Sequence, residues 1–200
     1  MRIRPAANLV ATLAGVALLF TPPAFAHGES DQAGGFLAGL AHPVAGLDHV
    51  LAMIAVGLWG TQLGKPALWV LPVAFPIVMA LGGLAALLGL PLAGVELGIA
   101  VSAMVLGGVV AGGLRVPLPL ALAGVAAFAV FHGYAHGAEL RSGQGPLAYS
   151  AGFVIATGLL HAVGIGLGIL DRLPRGAAFV RGLGAVIACG GAVYLWRAIP

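Results

Sequence analysis

Residues 117–139 read PLPLALAGVAAFAVFHGYAHGAE, and no charged side chain interrupts them between Arg115 and Glu139. The run is long enough to cross a hydrocarbon core of roughly 30 Å as a helix. It ends in His132, His136 and Glu139, at a depth where polar groups are expensive and therefore functional candidates. A soluble core helix would alternate an apolar face with a polar one; this one is apolar on all sides until its histidines begin.

Five further runs of similar character lie along the chain. Together they predict six spans near 36–62, 67–90, 94–113, 117–138, 146–170 and 178–198, in an all-α membrane protein built as a compact helical bundle. The composition agrees. Of 200 residues, 60% are hydrophobic and only 8% charged, with mean hydropathy +1.08, against the roughly 25% charged of a soluble domain. The connections are short and rich in Gly, Pro and charge, so no soluble domain fits between spans. The start reads as a cleaved signal peptide over 1–26. Arg2 and Arg4 form its basic end, Leu9 to Phe20 its apolar stretch, and Ala24-Phe25-Ala26 its cleavage site.

Other partners are excluded on simple grounds. A net charge of +3 with no basic stripe does not suggest nucleic acid. Cys189 is the single cysteine, so neither a disulfide nor a thiolate cage is available. Gly60-Thr61-Gln62-Leu63-Gly64-Lys65-Pro66 is one residue too short for a phosphate-binding loop and lacks the hydroxyl residue after lysine. No cofactor is expected.

Charge sets an orientation. With residue 27 in the periplasm, Lys65, Arg115, Arg172, Arg175 and Arg181 fall on the cytoplasmic side, and Arg141 and Arg197 outside. This is the positive-inside pattern of an inner-membrane protein. Glu29, Asp31, Glu96 and Glu139 fall outside, where they attract cations. Small-xxx-small pairs at Gly94/Gly98, Gly108/Gly112, Gly133/Gly137 and Gly164/Gly168 predict close helix packing.

The chemistry concentrates in two spans. The first contains His42-Pro43-Val44-Ala45-Gly46-Leu47-Asp48-His49. Seven residues apart, His42 and His49 share one face of a continuous helix, while Asp48 lies about 100° round as a ligand or as a hydrogen-bond acceptor for a histidine. Pro43 and Gly46 can break that helix, and broken helices in transporters line binding sites. In the fourth span His132, His136 and Glu139 fall within about 60° of arc. The expected orientation brings both groups to the outer half of the bilayer, with Glu96 at their level. The expected metal site is His42, Asp48, His49, Glu96, His132, His136 and Glu139. His161 reads as a satisfied packing histidine. Met53, Met79, Met104, Phe75 and Phe131 read as packing, and His27 is set aside. Imidazole with carboxylate suits nickel, cobalt or zinc; magnesium and calcium want oxygen alone, and copper(I) wants sulfur.

These paired motifs, HPVAGLDHVLAMIAVG and FHGYAHGAE, resemble the signatures of the HupE/UreJ family, nickel and sometimes cobalt permeases found beside hydrogenase or urease genes. The resemblance covers the whole mature chain. It implies nickel uptake from periplasm to cytoplasm, with cobalt as a second cargo, and a functional link to hydrogenase or urease maturation. It also implies functional roles for His42, Asp48, His49, Glu96, His136 and Glu139, with His132 alongside. Tyr134 departs from members that carry another histidine there. A rival reading is a membrane-embedded metal hydrolase on the same ligands, with Ser102 and Asp48 in chemical roles.

Overall fold

A computed structural model describes residues 32–139 and 146–199 of the chain. The signal-peptide reading, His27, Glu29, Asp31 and Arg141 lie outside these residues. Among those described the protein is all helical. The helices are α1 (Gln32–Ala45), α2 (Leu47–Leu63), α3 (Ala67–Leu87), α4 (Val95–Gly112), α5 (Leu118–Ala138), α6 (Pro146–Ile169) and α7 (Gly176–Ala198), with a 3₁₀ turn at Leu170–Arg172 between the last two.

Five of them are long and apolar enough to cross a membrane, and α1 with α2 makes a sixth span if the bent pair is counted as one. The protein is thus a multi-pass membrane protein. Helix ends follow local chemistry. Gly113, at φ 62° and ψ 34°, closes α4 in the left-handed conformation that glycine adopts without strain, and the Leu114 N–H then bonds the Val109 carbonyl.

The expected first span, 36–62, is the one that changes. It breaks at Gly46, and the axis turns by 81° between Gly35–Ala45 and Leu47–Leu63. Gly46 is extended, at φ −96° and ψ 109°. Pro43 inside α1 has no N–H to continue the helical ladder. His42 and His49 therefore do not share a face of one helix: they stand on either side of the break.

α2 is the centre of the bundle. Ala52, Met53 and Ala55 through Gly60 are all buried, and the helix packs against α3, α4, α6 and α7. A helix apolar all round belongs in such a place. The outer helices turn apolar stripes to lipid, as α3 does with Trp69, Val73, Ile77 and Leu81.

Glycine sets the seams. A Cβ on Gly133 would collide with the Met79 carbonyl, and one on Gly137 with the Gly83 carbonyl, so α3 lies directly on α5. Gly164 meets the Ile54 carbonyl of α2, and Gly168 meets Thr61. The other two expected pairs differ. Gly94 is a left-handed N-cap, Gly98 faces the Phe131 ring, and Gly108 faces open space. The α4–α7 seam instead uses Gly107, Gly184 and Gly191.

One end of the bundle is tied by polar bonds. Trp59 Nε1–H donates to the Leu114 carbonyl at 3.0 Å, Gln62 Nε2–H to Val110 at 3.1 Å, and Arg181 Nε–H to Ala111 at 2.8 Å. The α2–α3 and α4–α5 connections and the start of α7 meet there. The histidines lie toward the opposite end.

Candidate metal-binding site

The break at Gly46 builds the first half of the site. Asp48 falls in the first turn of α2, where a carboxylate is favoured by the free N–H groups. Its Oδ1 accepts from the His49 backbone N–H at 2.9 Å and from His49 Nδ1–H at 3.0 Å. Of the two roles open to Asp48, the structure draws the second: it holds a histidine. With Nδ1 donating, His49 Nε2 carries the lone pair, and this buried atom has no partner. A Cβ at Gly46 would sit 2.9 Å from Asp48 Oδ1 and 3.0 Å from His49 Nδ1. Glycine thus leaves room for the pair as well as allowing the break.

The last turns of α5 build the second half. His132 and His136 are buried, and Glu139 follows the helix end as its exposed C-cap. Glu139 Oε2 lies 2.9 Å from His42 Nε2. His42, His136 and Glu139 each offer a ligand atom within 4.8 Å of the others, and they are the group of three that does so among the described residues. Both nitrogens of His136 lack partners. Its ring centroid lies 4.7 Å from that of His42 and 4.4 Å from that of His49. His136 therefore stands between an outer group, His42 with Glu139, and an inner one, His49 with His132, whose centroids are 4.7 Å apart.

Ser102 belongs to this arrangement, although spacing gave it no metal-site role. It is fully buried, and its hydroxyl donates to the Ile99 carbonyl at 2.6 Å. The oxygen then accepts from His132 Nε2–H at 2.8 Å. That order fixes the His132 tautomer, leaving a lone pair on Nδ1, which has no partner. The available signal was a hydroxyl in the otherwise apolar interior of α4.

α6 supplies an aromatic wall that sequence reasoning also missed. Tyr149 lies 5.8 Å from the His42 ring, and Phe153 lies 4.2 Å from His136. Their i, i+4 spacing on an apolar helix was the available signal. A cleft of about 150 Å³ between α3, α5 and α6 reaches His136, with Pro76, Met79, Tyr149 and Phe153 in its walls.

Glu96 is not drawn into the group of three: it is exposed in the first turn of α4. Met53, Met79 and Phe75 are buried in the core. Phe75 packs edge-on to His132, with centroids 5.6 Å apart, and to His161, with centroids 5.4 Å apart. The Tyr134 backbone lies against Gly82 of α3. His161 is buried as expected; neither ring nitrogen closes a hydrogen bond of good geometry, while the Pro72 carbonyl faces the ring.

The family model described as HupE / UreJ protein matches residues 15–194. The chain is 43% identical over 189 residues to Protein HupE of Rhizobium leguminosarum bv. viciae, which covers 94% of this chain and 97% of that one. No solved structure matches the chain.

Proposed function

The chain belongs to the HupE/UreJ family, and from that premise we propose that it is an inner-membrane permease carrying nickel, with cobalt as a second cargo, from periplasm to cytoplasm. The observation that carries this reading is the convergence of His42, His136 and Glu139 at one end of a bundle of apolar helices. Two imidazoles and a carboxylate suit a divalent transition metal. Glu139 and half-exposed His42 receive the hydrated ion. Buried His136 and His132, with part-buried His49, replace its remaining waters as it moves inward. The Asp48 carboxylate and the Ser102 hydroxyl hold two of these rings with their lone pairs free, which is how second partners raise ligand quality.

The end with the Trp59, Gln62 and Arg181 bonds also carries Lys65, Arg115, Arg172 and Arg175. A cytoplasmic location for that end follows the positive-inside rule and places the metal cluster on the periplasmic side. Entering ions then move down the membrane potential, which supplies about 4.6 kcal/mol per 100 mV to a divalent cation, twice the single-charge value. Uniport needs nothing further. The family's name links such a permease to hydrogenase or urease maturation as the consumer of the metal. The hydrolase alternative has less support, because the Ser102 hydroxyl proton is already given to a backbone carbonyl.

The test is uptake of radioactive nickel into proteoliposomes under an imposed negative-inside potential. Wild type accumulates nickel, and His49→Ala and His136→Ala do not. Tight nickel binding without flux at any potential would sink the permease reading.

A further inference from the structure

We infer that His161, with Thr157, forms a second station for the cation on the inward side of the histidine cluster; this rests on the permease reading above. Four side chains run down α6 at i, i+4 spacing: Tyr149, Phe153, Thr157 and His161, all of them buried. The first two are already assigned by contact, Tyr149 to His42 and Phe153 to His136. The stripe continues inward past the cluster. His161 stands eight residues beyond Phe153, about 12 Å along the helix.

The polar groups at its lower end are unspent. Thr157 is fully buried and its hydroxyl has no partner, and neither His161 nitrogen closes a hydrogen bond of good geometry. The hydroxyls of part-buried Thr61 and buried Ser102 behave differently. Thr61 donates to the Gly57 carbonyl at 3.0 Å and Ser102 to Ile99 at 2.6 Å. Thr157 and His161, one turn apart on one helix face, are two polar side chains held dry, with at least one ring nitrogen and the hydroxyl unpaired. A third polar group lies nearby. The Pro72 carbonyl faces the His161 ring, and it has lost its helical donor because residue 76 is proline. An N–H turned to Pro72 leaves the other nitrogen free as a ligand. The station thus offers one imidazole, oriented by the Pro72 carbonyl, and one hydroxyl, a small set suited to holding a borderline divalent cation weakly enough to release it.

Its position fits a relay. Phe75 lies between the two stations, its ring 5.6 Å from His132 and 5.4 Å from His161. The outer cluster alone leaves the ion near one end of the bundle, and the second station carries it toward the other.

The experiment compares wild type, His161→Ala, His161→Gln and Thr157→Val. Each is purified, checked for monodisperse elution, assayed for equilibrium nickel binding in detergent, and reconstituted for uptake. His161→Ala should lower the initial uptake rate at least 10-fold while binding at the outer cluster changes less than 2-fold. Thr157→Val should lower uptake less, about 3-fold. His161→Gln should stay as slow as alanine, since it restores volume and an N–H but not the imidazole. Wild-type flux in His161→Ala would overturn the inference, and so would recovery in His161→Gln, because that pattern belongs to a packing residue. Equal loss of binding and flux in His161→Ala would also overturn it, since His161 would then belong to the outer cluster. A wild-type chain that binds nickel but moves none would defeat the permease reading and this inference with it, and is recognised before any variant is compared.

Discussion

The α4–α7 seam and the α3–α5 seam are laid down by the same device and left in opposite states. In both, glycine lets one backbone lie on another: Gly107, Gly184 and Gly191 in the first, Gly82, Gly133 and Gly137 in the second. The first closes on apolar side chains. The second borders His132 and His136, which between them hold three ring nitrogens without a partner, Nδ1 of the first and both nitrogens of the second. Among the described residues, every buried side-chain nitrogen or oxygen without a hydrogen bond lies on α2, α5 or α6, and none on α4 or α7. Buried polar groups are normally satisfied. Gln62 Oε1 at the tied end apart, the unpartnered ones gather on the histidine and threonine side chains of three helices, and that separates a scaffold, where packing is complete, from a proposed path, where it is withheld.

The largest effect should come from breaking the scaffold. In Gly184→Leu the new side chain meets the Ala111 nitrogen and the Gly107 carbonyl, which are backbone and cannot swing aside. Overpacking of this kind costs about 1–3 kcal/mol or more. The variant should fail to elute as a folded species, and nickel binding should disappear with the fold. A variant that elutes and melts like wild type would mean that this seam does not hold the bundle. The matching change on the path side behaves in reverse. His136→Leu removes two unpartnered nitrogens at little cost in volume. Nickel binding should fall beyond the roughly 10–100-fold that loss of a second partner costs, while the melting temperature holds or rises. A lower melting temperature would show that His136 is structural.

A smaller effect is expected where the path touches its supports. Asp48→Asn keeps the shape of the residue and removes the charge that orients His49. Nickel affinity should drop about 10–100-fold with the fold intact, as read by equilibrium binding beside thermal unfolding. An unchanged affinity would detach Asp48 from the site.

The two regions were not equally legible in the sequence. The spans were, because a chain solvated by lipid writes its crossing segments as apolar length: 117–138 was expected and α5 runs from Leu118 to Ala138. The ionisable residues stood out for the complementary reason, their rarity at depth. What could not be read was pairing between helices. Helices apolar on nearly every face leave no periodic signal for which side meets which neighbour, so nothing announced that Ser102 meets His132, that Phe153 meets His136, or that Gly184 meets Ala111. The break at Pro43 and Gly46 was foreseeable as a weakness, but the 81° turn was not. That turn comes from α1 and α2 packing separately on α6, through Gly39 and Gly152 in one case and Gly57 and Gly164 in the other.

The smallest effect tests whether scaffold and path are independent. Trp59 is nearly buried at the end of the bundle away from the histidines, and its Nε1–H donates to the Leu114 carbonyl. Trp59→Phe deletes that donor and keeps an aromatic ring. Such a bond contributes about 0.5–1.5 kcal/mol net. The lower part of that range applies, because Leu114 is exposed in a connection and solvent can satisfy its carbonyl once the indole is gone. The melting temperature should fall by about 2–4 °C per kcal/mol lost for a chain of this size. Nickel affinity should be unchanged, because none of the side chains proposed to hold the ion touches this bond. A shift in affinity of 10-fold or more would mean that α2 transmits strain from Trp59 to His49 along its own length, making the helix that carries the core also part of the conducting machinery.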